Sequence, residues 1–262
     1  GINIKVGHHE CAVPGQHEFE LDLTPLLEAG DHIILSKYII KNLAASFNKV
    51  ATFMPKPMYG VAGSGMHFHQ MLSKKGKNIF NGKGFADLSD TALQYIGGVL
   101  KHARALTGIT NPSTNSFKRL IPGYEAPTAI CYSNSNRTAA VRIPGYIKDP
   151  QKRRFEYRPP DAMGNPYFTL AALVAAGIDG IKNKRNPGKP AVGNIEKKAK
   201  YKKVPASLYE ALHYLEKGHK FLLQDGIFKK EMIKHWVKVK RQEAFEVNIH
   251  PNPKEIELYF NF

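Results

Sequence analysis

Cysteine is scarce in this 262-residue chain: Cys11 and Cys131 are the only two, and neither sits in a paired metal-ligand spacing. That argues against a disulfide framework and a thiolate metal site, and it suits a cytoplasmic compartment. No apolar run approaches the roughly 18 residues that a membrane-spanning helix requires. No basic-then-apolar leader opens the chain, so neither a membrane partner nor a secretory signal is expected. Methionine is missing from the first position, and Gly1-Ile2-Asn3-Ile4-Lys5-Val6 already alternates like the middle of a strand, so a fragment is expected. Acidic residues are also few, 22 Asp and Glu against 38 Lys and Arg, which leaves a formal charge of +16. Such an excess favours anionic partners. No basic-and-aromatic stacking motif accompanies it, so nucleic acid is not the expected one. Much of the charge lies in two tracts, Lys197, Lys198, Lys200, Lys202, Lys203 and Lys229, Lys230, Lys234, Lys238, Lys240, Arg241. Both read as solvated surface.

With 42% hydrophobic residues the chain can bury a core, in one large domain or two small ones. Residues 2–10 alternate as a strand ending in His8-His9-Glu10. A turn at Ala12-Val13-Pro14-Gly15 leads to a second alternating run, His17 to Leu23, with Glu18, Glu20 and Asp22 on one face. An acidic strand face means solvent or a cation, because hard cations take carboxylate oxygens. Glu10 and Glu18 adjoin across the turn, so one ion could reach both. Residues 31–47 and 90–106 have helical periodicity, the second capped by Ser89, and both are expected to pack on the core. Val50 to Met54 reads as a short strand, and Ser73 to Lys77 as a hairpin tip.

The stretch 56–69 carries the densest chemistry. Its first half is glycine-rich; its second alternates Met66 and Phe68 with His67 and His69, so both imidazoles share one strand face. It is either a metal or phosphate corner or a hairpin with solvated histidines. Residues 111–127 lack periodicity and read as a functional loop. Strands follow at 129–132 and 139–143. Then Arg154, Glu156 and Arg158 alternate with Phe155 and Tyr157, either as a self-neutralised surface or as phosphate-binding arginines beside a cation. Asn165-Pro166 opens an apolar helix to about Lys182, residues 189–205 form a basic loop, and helices start at Ser207 and Phe228, with Trp236 packed. No internal repeat is evident. The irregular alternation of helices and strands predicts an α+β fold.

Taken in order, several motifs resemble glutamine synthetase over essentially the whole length. They are His8-His9-Glu10, Gly15-Gln16-His17-Glu18, Phe53-Met54-Pro55-Lys56-Pro57 and Gly63-Ser64-Gly65-Met66-His67-Phe68-His69. Next come Asn111-Pro112, Asn115-Ser116, Lys118 through Pro127, Asn136-Arg137, Arg142-Ile143-Pro144, Arg154 through Arg158 and Asn165-Pro166-Tyr167. The resemblance implies a curved, largely antiparallel sheet with helices on its outer face, all of 1–262 being one partial catalytic domain. It implies an oligomeric ATP-dependent ligase that joins ammonia to glutamate through a γ-glutamyl phosphate. Two divalent cations, Mg2+ or Mn2+, are implied. By position Glu10 and Glu18 resemble the ligands of one cation, and His67 and Glu156 those of the other. His69, Arg142 and Arg154 resemble ATP-binding groups; Gly63, Arg119 and Arg158 resemble glutamate-binding ones. Arg137 resembles the arginine nearest the transferring group, and Glu125 the flap carboxylate that takes a proton from ammonium.

Three departures qualify the likeness. Ala62 stands where the family has asparagine, which leaves open a ligase for another amine. Glu196 replaces a modifiable tyrosine, so no adenylylation is expected there. The family's N-terminal domain and first catalytic strand are missing, so a complementary N-terminal fragment is an expected partner. A non-catalytic binding module is the remaining alternative; its mark would be loss of metal ligands, and all four are present.

Overall fold

The computed structural model describes residues 1–262 other than Cys11, Asn194, Glu196, Lys197, Ala199 and Phe262. The expectations for Cys11, Glu196 and Lys197 therefore lie outside the described residues. The elements run β1 (Ile4–His9), β2 (His17–Leu21), α1 (Leu26–Ser46), β3 (Phe68–Gln70), β4 (Ser73–Lys74), β5 (Lys77–Asn78), α2 (Asp90–Thr110) and α3 (Thr114–Arg119). They continue with β6 (Ala129–Asn134), β7 (Ala139–Ile143), β8 (Phe155–Tyr157), α4 (Pro166–Lys182), α5 (Leu208–Gly218), α6 (Lys230–Asn248) and α7 (Pro253–Tyr259).

The four-stranded sheet β3-β8-β7-β6 organises the rest. Side chains alternate faces along a strand, and the register aligns His69 with Glu156 and Glu156 with Arg142. One face therefore carries a row of imidazole, carboxylate and guanidinium. The other face carries Phe68, Phe155, Tyr157, Val141 and Ile143, all buried in the core. α2, α4 and α5 supply much of the rest of that core, with Ile96, Leu106, Leu173, Leu208 and Leu212, and α6 adds Ile233 and Val237. Ser89 caps α2 by accepting from Ala92 N at 3.1 Å, and Asn165 caps α4 by accepting from Tyr167 N at 3.0 Å. The two helices meet at glycines: a Cβ on Gly98 would lie 2.6 Å from the Cα of Gly180. Trp236 packs on the same core and donates to the Gly108 carbonyl at 2.8 Å.

Three expectations need correction. Helix α1 begins at Leu26, earlier than expected, and its packing on the core is slight: Ala29 and Ile33 rest against it, only Gly30 and Ser36 are buried, and Leu27 is 70% exposed. Residues 50–54 have no strand partner among the described residues and stay irregular, with Val50 96% exposed. Residues 111–127 contain α3, nucleated by a capping box in which the side chains of Ser113 and Ser116 each accept from the other's backbone N–H. The four-stranded sheet is largely antiparallel, as the resemblance implies, with β6 and β7 pairing in parallel.

Candidate active site

The polar row on the sheet centres on Glu156, whose side chain is 1% exposed. Its Oε2 accepts from Arg142 Nε; its Oε1 accepts from Arg158 Nη1 at 2.7 Å and lies 3.0 Å from His67 Nδ1. Burial alone would raise this carboxyl, but the His67 contact and the neighbouring cations outweigh it and hold it well below its usual range. Glu156 is thus an ion at neutral pH. Burial, assisted by Arg158, pushes His67 down to about 4, so its ring is neutral. His69 is likewise lowered to about 4, first by burial, and accepts from Arg154 Nε at 3.3 Å. Neutral imidazoles beside an ionised carboxylate are the protonation states that a cation requires.

The β1–β2 hairpin brings a second cluster. His8, Glu10 and Glu18 offer ligand atoms that all lie within 4.8 Å of one another. Desolvation, the hydrogen bond to Glu10 and the Glu10 charge raise Glu18 to about 7. A bound divalent cation would relieve that repulsion, so the donor set fits a hard ion. Glu20 links the two clusters: its Oε1 lies 3.5 Å from Arg154 Nη2 and 4.0 Å from His69 Nε2. The acidic face of β2 therefore looks toward the sheet. The field of Glu156 reaches Glu18, and that of Arg137 reaches His8.

The glycine-rich loop closes a third side. A Cβ on Gly63 would sit 2.5 Å from the Pro55 carbonyl and 2.7 Å from Arg119 Cγ, so only glycine fits. Gln16 Nε2 donates to Ser64 Oγ at 2.8 Å, tying the hairpin turn to this loop. Glu125 and Arg137 pair at 3.0 Å with side chains 68% and 60% exposed, an open arrangement.

Glu10 and Glu18 thus stand together in one cluster, and His67, His69, Arg142, Arg154, Glu156 and Arg158 in the other. Arg119, implied as a glutamate-binding group, lies beside the glycine-rich loop, where a Cβ on Gly63 would meet its side chain. Its guanidinium is buried and donates to the backbone carbonyls of Arg158 at 3.1 Å, Pro159 at 2.7 Å and Pro160 at 3.2 Å. It braces the chain that leaves β8. His8 was not singled out from the sequence, although its two-residue spacing from Glu10 carried the signal, and Glu20 entered only as one of the acidic face of residues 17–23.

The family profile "Glutamine synthetase, catalytic domain" matches residues 1–259. Glutamine synthetase of Microchaete diplosiphon is 49% identical over 100% of this chain and 57% of its own length. A 3-hydroxylaminophenol mutase of Cupriavidus pinatubonensis is 46% identical over 100% of this chain and 56% of its own. Among solved structures, Plasmodium falciparum glutamine synthetase superposes with a TM-score of 0.89 at 33% identity, covering 98% of this chain and 58% of that one. A GmaS complex with ADP gives 0.89 at 32%, covering 99% and 60%. The chain spans 56–57% of the length of these curated relatives.

Proposed function

The chain belongs to the glutamine synthetase catalytic-domain family, and from that premise we propose that it is the phosphate-handling part of an ATP-dependent ligase that makes glutamine from glutamate and ammonia. The observation that carries this reading is the row His69–Glu156–Arg142, flanked by Arg154 and Arg158 and faced by the acidic hairpin. Phosphoryl transfer to a carboxylate needs concentrated positive charge around a polyanion, with carboxylates to hold cations. His8, Glu10 and Glu18 would hold one divalent cation, and His67 with Glu156 contribute to a second. Mg2+ or Mn2+ there would neutralise phosphate oxygens.

In this reading Arg142 and Arg154 orient the ATP phosphates beside His69, and Arg137 faces the group being transferred. Arg158 meets a substrate carboxylate, while Gly63 lets the amino acid approach the loop backbone. Arg119 acts by bracing residues 158–160. Glu125 takes the proton from ammonium, and its segment excludes water from the acyl phosphate. We take residues 1–262 as one catalytic domain that works in the cytoplasm, within an oligomer or with a complementary N-terminal polypeptide. The exposed apolar face of α1, with Leu27, Leu35, Tyr38 and Leu43, supports that view. No helix among the described residues is long and apolar enough to cross a membrane.

The test is a γ-glutamyl transfer assay with and without the N-terminal part of a relative, alongside Mn2+ titration of the chain alone. Saturable Mn2+ binding and rescue of transfer are expected; neither appearing would overturn the proposal. Ala62 motivates a second reading, ligation of glutamate to an amine other than ammonia. A panel of amines and acids assayed on the rescued enzyme separates the two.

A further inference from the structure

The span from Ile121 to Glu125 leaves the core after Leu120 and returns to it at Ala126; within it, Ile121, Pro122, Gly123 and Glu125 are exposed and only Tyr124 is partly buried. Both neighbours of Tyr124 have left-handed backbone, Gly123 at φ 98° and Glu125 at φ 54°. A segment with this backbone and so little packing needs an anchor to keep one conformation. The anchor has an identifiable partner. The Lys56 Nζ lies 4.2 Å from the centroid of the Tyr124 ring and donates to the Val61 carbonyl. Lys56 is 8% exposed, and no carboxylate of the described residues pairs with it.

The backbone of Lys56 is itself fixed. Its N–H donates to Asn115 Oδ1 at 2.8 Å, and its carbonyl accepts from Asn115 Nδ2 at 2.9 Å. The preceding Pro55 carbonyl accepts from Ser64 N at 2.8 Å. Residues 55–57 are therefore a strut beneath the glycine-rich loop, and the ammonium reaches from that strut to the ring. A desolvated cation against an aromatic face is a directional contact that a purely apolar neighbour would not supply.

We infer that Lys56 is a positioning residue for Glu125: through the Tyr124 ring and the Val61 carbonyl it holds the 121–125 span in register with the glycine-rich loop. The contact is independent of the reaction, but its value to catalysis rests on the proposed role of Glu125. The inference predicts that the ring face, not the phenol hydroxyl and not bulk alone, is what matters.

The test uses the full chain and a Glu-specific protease. Cleavage after Glu125 requires the span to open, and its rate tracks the open population when opening is fast. Cleavage after the exposed Glu257 on α7 serves as the internal reference. Tyr124→Leu and Lys56→Met are expected to raise the Glu125-to-Glu257 cleavage ratio about tenfold or more, and Tyr124→Phe to restore the wild-type ratio. In lysine-labelled protein, the Lys56 ε-methylene resonance should carry a ring-current shift that Tyr124→Phe keeps and Tyr124→Leu abolishes. Should Lys56→Met fail to fold, Tyr124→Leu decides alone. An unchanged ratio in Tyr124→Leu overturns the inference, as does a ratio in Tyr124→Phe as high as in Tyr124→Leu. In the rescued ligase, Tyr124→Leu should lower kcat with KM for ATP unchanged. Absence of ligase activity from every variant, wild type included, would count against the proposed function, while the cleavage ratio would still decide the role of Lys56.

Discussion

Replacing Glu156 by glutamine tests whether the polar row is a single electrostatic unit. The carboxylate is 1% exposed and stands between Arg142, Arg158 and His67. Glutamine keeps the shape, but it removes the charge and turns one acceptor into a donor. Either Arg142 or Arg158 then faces an NH2 group, and two largely buried guanidiniums lose their counter-ion. Removing one partner of a buried pair costs about 3–5 kcal/mol, a large share of the roughly 5–15 kcal/mol by which a domain is stable. Urea unfolding should therefore show a much lower midpoint at unchanged slope. Adding Arg142→Met to Glu156→Gln removes one of the uncompensated charges, so the double variant should recover part of the loss. The pH dependence has a definite sign. The Glu156 carboxyl is held below its unfolded value of 4.5, so its contribution is present above about pH 4.5 and is lost as pH falls. A loss below about 1 kcal/mol, or a double variant worse than the sum of its parts, would refute the reasoning.

Other perturbations probe separate parts. Because Glu18 titrates near 7 and must be ionised to bind a cation, Mn2+ affinity should fall about tenfold per pH unit below 7 and level off above it; titration calorimetry at pH 6, 7 and 8 reads this. Glu18→Gln should abolish that slope together with tight binding. His102 lies 2.7 Å from Asp179, stacks on Phe221 and is held below 6.5, first by burial, with Arg185 and Lys101 nearby. The unfolded chain binds the extra proton, so stability should fall as pH drops through 6.5; melting curves should show His102→Gln with a flatter dependence. Gly98→Ala would drive a methyl against Gly180 on α4, and a cost of about 1–3 kcal/mol should appear as a lower melting temperature.

Much of the site was legible because a two-residue period is simple. Arg154, Glu156 and Arg158 alternate with Phe155 and Tyr157, and the structure places the first set in the polar row and the second in the core. Ser89 and Asn165 announced their helices by cap chemistry. What stayed hidden depends on distant partners. Residues 50–54 have strand-like composition, yet strand propensity expresses packing against a neighbour, and no strand among the described residues lies beside them. Helix α3 is six residues long, too short for periodicity to register, and its signal was the paired serines at 113 and 116. The fate of Arg119 could not be read at all, because its partners are carbonyls, which every residue possesses.

The positions of charge and apolar surface together explain why a strongly basic chain has an acidic strand at its site. The sheet contributes Arg142, Arg154 and Arg158 against one carboxylate, Glu156, so that face alone is net cationic. It would attract phosphate but would offer a cation little. The carboxylates arrive from β2, and polar ties hold that hairpin to the sheet and loop: Glu20 to Arg154 and His69, and Gln16 to Ser64. Its own apolar residues Ile4 and Val6 remain exposed. The two halves of the proposed chemistry thus sit on two pieces, a buried row rich in arginine and a more exposed hairpin rich in carboxylates. A polyanion accompanied by divalent cations would satisfy both at once, as the proposed function requires.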